Sequence, residues 1–142
     1  MVKFVLLTQQ FYSDYSQYPE ILQKEDRPHI QAQIEVDGSI FCVPLRSNIS
    51  HPNVLWTDKA NKCGLDFSKT VVIVDSQKYI DQTRHPVIRQ IEFDALRGKE
   101  FIIETNLKKY IAKYKAAKDK RHIPRNSLLV QYSTLQYFEE YI

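Results

Sequence analysis

Three short clusters of polar residues bracket the most regular stretch of this 142-residue chain: Arg27-Pro28-His29 before it, Arg46-Ser47-Asn48 after it, and His51 a little further on. Histidine, arginine and serine together suffice for one demanding reaction, the cleavage of RNA by its own 2′-hydroxyl. The 2′-oxygen attacks the adjacent phosphorus and its proton goes to a base. The bond to the 5′-oxygen then breaks, and that oxygen takes a proton from an acid. Fixed donors must stabilise the charge that builds on the phosphorane. The nucleophile belongs to the substrate, so this chemistry calls for neither metal nor cofactor.

The element that brings the clusters together is a hairpin. Ile30, Ala32, Ile34 and Val36 alternate with Gln31, Gln33 and Glu35, and an apolar run resumes from Ile40 to Leu45 beyond Asp37-Gly38. An Asp-Gly pair between two such strands predicts a type I′ turn. Residues paired across it have sequence numbers that sum to about 75. His29 is then expected opposite Arg46, and Pro28 opposite Ser47, at the open end. Pro44 suits an edge or a strand exit, where its missing N–H costs nothing. The same side chains have plain structural readings as well. A histidine at a strand start is commonly a hydrogen-bonding surface residue, Arg46 could pair with Glu35, and Ser47-Asn48 could simply shape a turn. His51-Pro52 and His85-Pro86 also read as turn elements.

Other chemistries lack their residues. Three glycines in the whole chain leave no glycine-rich phosphate loop. Two distant cysteines and four scattered histidines give no zinc spacing, and no serine-hydrolase elbow is present. Cys42, inside a strand pattern, reads as a small buried hydrophobe. Two cysteines make no disulfide framework, and Met1 to Leu7 lacks a cleavage-site pattern, so the reducing cytoplasm is the expected compartment. The longest apolar run, Val71 to Val74, is too short to span a bilayer. Net charge is +3, with lysine and arginine gathered at Lys108, Lys109, Lys113, Lys115, Lys118, Lys120, Arg121 and Arg125. A face of that kind is commonly just solvated, and it also suits a phosphate backbone.

Strands are expected over residues 2–7, 30–36, 40–45 and 71–75, with a further one at 87–91. Residues 46–70 read as mostly loop, with Trp56 as a core anchor. Phe11, Tyr15 and Tyr18 have helical spacing before Pro19, and Ile103, Leu107, Tyr110, Ile111, Tyr114 and Ala117 predict a long helix. Ser133-Thr134-Leu135-Gln136 has the form of a capping box for a last helix over 134–141. Tyr12 and Tyr15, on a helix beside the hairpin, are expected to stack RNA bases. The plan is one α+β domain over 1–142: a small, strongly bent antiparallel sheet flanked by helices.

The order and spacing of these segments resemble the ToxN/AbiQ-type endoribonuclease toxins of type III toxin–antitoxin systems, most of all their TenpN/CptN-like branch. The resemblance rests on the Lys3-Phe4 opening strand, the tyrosine-bearing helix and Arg27-Pro28-His29-Ile30. It continues through Asp37-Gly38, Val43-Pro44-Leu45-Arg46-Ser47, Gly64-Leu65-Asp66-Phe67-Ser68-Lys69 and Tyr132-Ser133-Thr134-Leu135-Gln136. It implies a barrel-like core akin to MazF/Kid toxins and metal-independent cleavage leaving a 2′,3′-cyclic phosphate. It also implies a small repeated pseudoknot antitoxin RNA that the toxin processes and that inhibits it in a closed protein–RNA assembly. Ser47 matches the serine that follows the family's Pro-Leu-x element. His29 stands where the ToxN branch carries a lysine, and Arg46 replaces a threonine. The expected roles are His29 as general acid or base, since histidine titrates near neutrality, and Arg46 on the phosphorane charge. Ser47 would orient the phosphate and His51 would be the second proton-transfer group. Lys59, Lys62, Lys69, Lys108 and Lys109 would touch RNA. A non-catalytic RNA- or DNA-binding module and a protein-interaction domain are the rival classes.

Overall fold

The computed structural model describes residues 1–22 and 28–142. Arg27, with Glu25 and Asp26, lies outside the described residues. The chain opens with β1 (Lys3–Val5), and Leu7 then makes a single bridge to Ile80. Helix α1 (Gln9–Asp14) follows, its first turn capped by Thr8, whose hydroxyl accepts from the Phe11 N–H at 3.2 Å. The expected helix over 11–18 is thus shorter and starts earlier, because the Thr8 cap fixes its beginning.

The hairpin forms in the expected register. β2 (Gln31–Val36) pairs antiparallel with β3 (Ser39–Arg46), from Gln31 opposite Pro44 to Val36 opposite Ser39. Asp37 and Gly38 both take positive φ, 50° and 82°, as a type I′ turn requires. The Leu45 N–H donates to the Ile30 carbonyl at 2.8 Å, which carries the pairing toward His29 and Arg46.

Residues 46–70 are not a loop. They contain β4 (Val54–Asp58) and β5 (Cys63–Asp66), joined by a 3-10 turn over Lys59–Asn61. β5 lies between β3 and β4, and β6 (Val71–Ile73) pairs with the other half of β3. The result is a six-stranded antiparallel sheet in the order β1-β2-β3-β5-β4, with β6 attached to β3. The sheet is open: β1 and β4 are its outer strands, so the barrel-like closure is not observed. Pro44 marks the point where β3 changes partner. Its neighbour Leu45 turns its N–H to β2, so Pro44 faces the opposite side, between the last β6 pair at Cys42 and the first β5 pair at Leu45. No ladder bond is lost there.

Helix α2 (Ser76–Tyr79) leads to α3 (Gln90–Leu96), which replaces the strand expected at 87–91. Val87 and Ile91 are exposed, so their apolar character does not reflect burial in a sheet. Helix α4 (Glu100–Asp119) buries Ile103, Leu107, Tyr110, Tyr114 and Ala117 at the spacing read from the sequence. An unexpected helix, α5 (Pro124–Tyr132), follows with proline at its start. The last segment is two 3-10 turns, Thr134–Tyr137 and Glu139–Tyr141, rather than one α-helix. Among the described residues, no helix is long and apolar enough to cross a membrane.

Tyr12 belongs to the core, and Tyr15, half-buried, packs against it. Tyr12 is 4% exposed, and burial pushes its phenol up to about 12. Tyr15 is packed among Phe11, Tyr79, Tyr18 and Phe138, with ring centroids 4.6 to 5.9 Å apart. The expectation that these two rings stack RNA bases does not match that placement. Their helical spacing marked the face that packs inward.

Candidate functional site

Gly64 is where the site begins. It lies opposite Arg46 in the β3–β5 ladder and opposite Trp56 on β4. A Cβ there would meet the Leu55 carbonyl oxygen at 2.5 Å, so only glycine allows β4 and β5 to approach this closely. Arg46 stands across the ladder from Gly64. Asp66, two residues on and therefore on the same face, is its diagonal neighbour. Arg46 Nη1 reaches Asp66 Oδ2 at 2.6 Å.

Asp66 is wholly buried and is a hub of donors. Besides Arg46, its Oδ1 accepts from the Ser68 N–H at 2.9 Å and from the Ser68 hydroxyl at 2.6 Å. His51 Nε2 lies 3.0 Å from the same oxygen and 3.2 Å from the Ser68 hydroxyl. Burial by itself pushes the carboxyl up. The hydrogen bonds from His51, Ser68 and Arg46 outweigh it and hold Asp66 below its ordinary value. The Asp66-Phe67-Ser68 turn makes this local: Asp66 caps the 3-10 turn Phe67–Lys69. Thr134 braces that turn from the C-terminal segment, its hydroxyl donating to the Ser68 carbonyl at 3.2 Å and also to the Thr70 carbonyl. Tyr110 on α4 donates to Ser133 at 2.8 Å beside it.

His51 is fixed by both ring nitrogens. The Asn53 N–H donates to Nδ1 at 3.1 Å, so Nδ1 must present a lone pair and the ring proton belongs on Nε2, facing Asp66. A second proton-transfer role at His51 is therefore not what this arrangement offers. The ring braces the carboxylate that holds Arg46.

His29, Arg46 and Ser47 do share one concave surface. They line a cleft of about 740 Å3 together with Pro28, Arg89 and Glu92. Arg89, at the start of α3, is tied to Glu92 at 3.1 Å and lies 3.8 Å from Asp58. Glu92 is buried and accepts from the Thr57 hydroxyl at 2.7 Å. The cleft is thus lined by two guanidinium groups, a hydroxyl, the Glu92 carboxylate and the His29 imidazole, whose Nε2 is buried; its donors suit a phosphodiester. The Asp66 contact fixes the plane of the Arg46 fork, which has five N–H donors in all. His51 does not line this cleft. It lies on the far side of Asp66, in a second cleft between α4 and α5.

The lysines are dispersed. Lys59 and Lys62 are exposed on the β4–β5 turn, which the Ile49 N–H ties to the Arg46-Ser47-Asn48 bend through the Lys62 carbonyl at 3.1 Å. Lys108 and Lys109 are exposed on α4, with Glu104 3.9 Å from Lys108. Lys69 is half-buried, donates to the Tyr132 carbonyl at 3.1 Å, and has its ammonium pushed down by burial. Asp66, Ser68, Arg89 and Glu92 had no assigned role in the sequence reading. The Asp-x-Ser spacing at 66–68 was the available signal for the first two, since it is the pattern of a side-chain-capped turn. No protein-family model, curated protein or solved structure matches the chain.

Proposed function

We propose that this protein is a metal-independent endoribonuclease, the toxin of a type III toxin–antitoxin system, which cleaves RNA by 2′-hydroxyl attack. The observation that carries the reading is the cleft at the hairpin's open end. There Arg46, locked by a fully buried carboxylate, stands with His29, Ser47 and a second arginine, Arg89. In the proposed reaction the arginines hold the two non-bridging oxygens as phosphorane charge builds. Ser47 orients the phosphate; His29 exchanges a proton with one of the two reacting oxygens, and solvent water exchanges one with the other. His51, Asp66 and Ser68 act through Arg46 as positioning residues. A MazF/Kid-like core goes with this reading, supported by a central strand shared between two partner sets; barrel closure is not part of it. The partner would be a small repeated pseudoknot RNA covering the cleft, gripped by lysines of α4 and of the β4–β5 turn in a closed assembly. The compartment proposed for it is the cytoplasm.

Incubating the purified chain with single-stranded RNA in EDTA tests this. Fragments ending in 2′,3′-cyclic phosphate are expected, with Ser47→Ala and His29→Ala each about a hundredfold slower or more. RNA affinity should fall steeply with salt as counterions are released. Binding without cleavage would make the chain a non-catalytic nucleic-acid module, and binding insensitive to salt would point to a protein partner.

A further inference from the structure

Tight binding of a single strand needs more than a phosphate site, because stacking of its bases supplies a large share of the affinity. On the far side of Asp66 from Arg46 lies a second cleft of about 460 Å3, between α4, α5 and the turn at 51–53. That is the size of pockets that take small aromatic ligands. One end is formed by His51 and Ser68, the two residues that share Asp66 with Arg46. Its wall carries Leu128 and Tyr132, large side chains that α5 leaves 53% and 57% exposed. Lys113 and Arg125, both exposed cations, complete the lining. Lys113 also anchors the turn, donating to the Asn53 side-chain oxygen at 2.7 Å.

We propose that this cleft is a nucleobase subsite, taking the unpaired base of a nucleotide next to the phosphate held at Arg46. The inference rests on the ribonuclease reading and specifies how that site grips its strand. Charge and shape select the occupant together. An apolar slot with an exposed tyrosine face suits a flat, uncharged base, and flanking cations suit the phosphates that lie on either side of every base in a strand. The two clefts are linked through one residue: Arg46, which lines the first, and His51, which lines the second, are bound to the two oxygens of the Asp66 carboxylate. An RNA strand crossing Arg46 toward His51 arrives at Tyr132. Because the slot grips a base that does not react, it contributes equally to ground state and transition state.

The test uses the full chain, methyl-labelled, and a single-stranded oligoribonucleotide fully methylated at its 2′-oxygens so that it cannot be cleaved. Leu128 and Leu129 methyl resonances should shift on titration. Tyr132→Ala and Leu128→Asp, both at exposed positions, should each weaken binding roughly 5- to 150-fold, the scale of one lost base stack. With cleavable RNA, the same variants should raise KM and leave kcat nearly unchanged. Silent Leu128 methyls together with wild-type affinity in Tyr132→Ala overturn the subsite, and active cleavage in that experiment leaves the ribonuclease reading standing. Methyl shifts and weakened variants in a chain that cuts no RNA uphold base binding here and remove only the ribonuclease reading. Shifts produced by an uncharged amphipathic peptide, where the oligonucleotide produces none, identify a protein-docking groove and overturn the proposal.

Discussion

Replacing Asp66 with asparagine tests whether one buried carboxylate organises the site. The substitution keeps the volume but converts one acceptor oxygen into an NH2 donor. Asp66 accepts from Arg46, His51, the Ser68 N–H and the Ser68 hydroxyl, so whichever way the amide turns, donors face donors. Breaking a fully buried ion pair by removing one partner costs about 3–5 kcal/mol. Here Arg46 and His51 keep 27% and 31% of their side-chain surface in solvent and can rehydrate, which lowers the expected cost to about 2–4 kcal/mol. For a chain of this length that is a fall in Tm of roughly 6–15 °C. The pH dependence has a definite sign. The folded carboxyl titrates below its ordinary 3.8, so its contribution is fully present above 3.8 and is lost as pH falls through the lower, folded value. Thermal unfolding followed by circular dichroism should show the full wild-type advantage at pH 7 and a shrinking one below pH 3.8. If the chain is the proposed ribonuclease, cleavage should fall with it, because a freed Arg46 no longer holds its fork in the cleft. A variant that melts within 2 °C of wild type at pH 7 would refute the hub.

The remaining expectations are briefer. Gly64→Ala should cost about 1–3 kcal/mol in urea unfolding, since its Cβ meets a backbone oxygen that cannot swing aside; an unchanged midpoint would mean that β4 and β5 part easily. Tyr12→Phe should leave RNA affinity within about twofold, because its ring is 4% exposed, whereas Tyr12→Ala should lose about 3–5 kcal/mol of stability. The Cys42 thiol, fully buried and pushed up to about 12, should resist iodoacetamide at pH 8 until guanidinium unfolds the chain, as peptide mapping can establish.

The elements that were legible are those whose side chains obey one period from end to end. β2 alternates strictly, and the Asp37-Gly38 turn fixes its partner, so even the residue pairing followed. α4 has an unbroken apolar stripe over about four turns, from Ile103 to Ala117. β4 has neither property. Val54, Leu55 and Trp56 are all half-buried, a register shift follows between Trp56 and Asp58, and the reversal uses Lys62 at φ 57° rather than a glycine. α5 was missed for a related reason. Its one fully buried residue is Val130, so it has no wide apolar face, and only Pro124 announced it.

The candidate site was half legible for an electrostatic reason. Reading residues for phosphate chemistry selects donors and cations, and a carboxylate repels a phosphate. Asp66 therefore carries no signal as a ligand-binding group. Its role appears only when β5 places it diagonally across from Arg46, and Ser68 and His51 fill the other lone pairs. That also reverses the meaning of His51. Near Arg46 in sequence, it looked like a second proton carrier; in three dimensions its two nitrogens face Asn53 and Asp66. Its ring plane is then set by the protein rather than by a substrate. On the proposed ribonuclease reading, the cleft would gain from such rigidity, because donors already in place need no reorganisation as charge develops on the phosphorane. The same rigidity gives the second cleft a fixed wall at His51 and Ser68, which share Asp66 with Arg46 of the first.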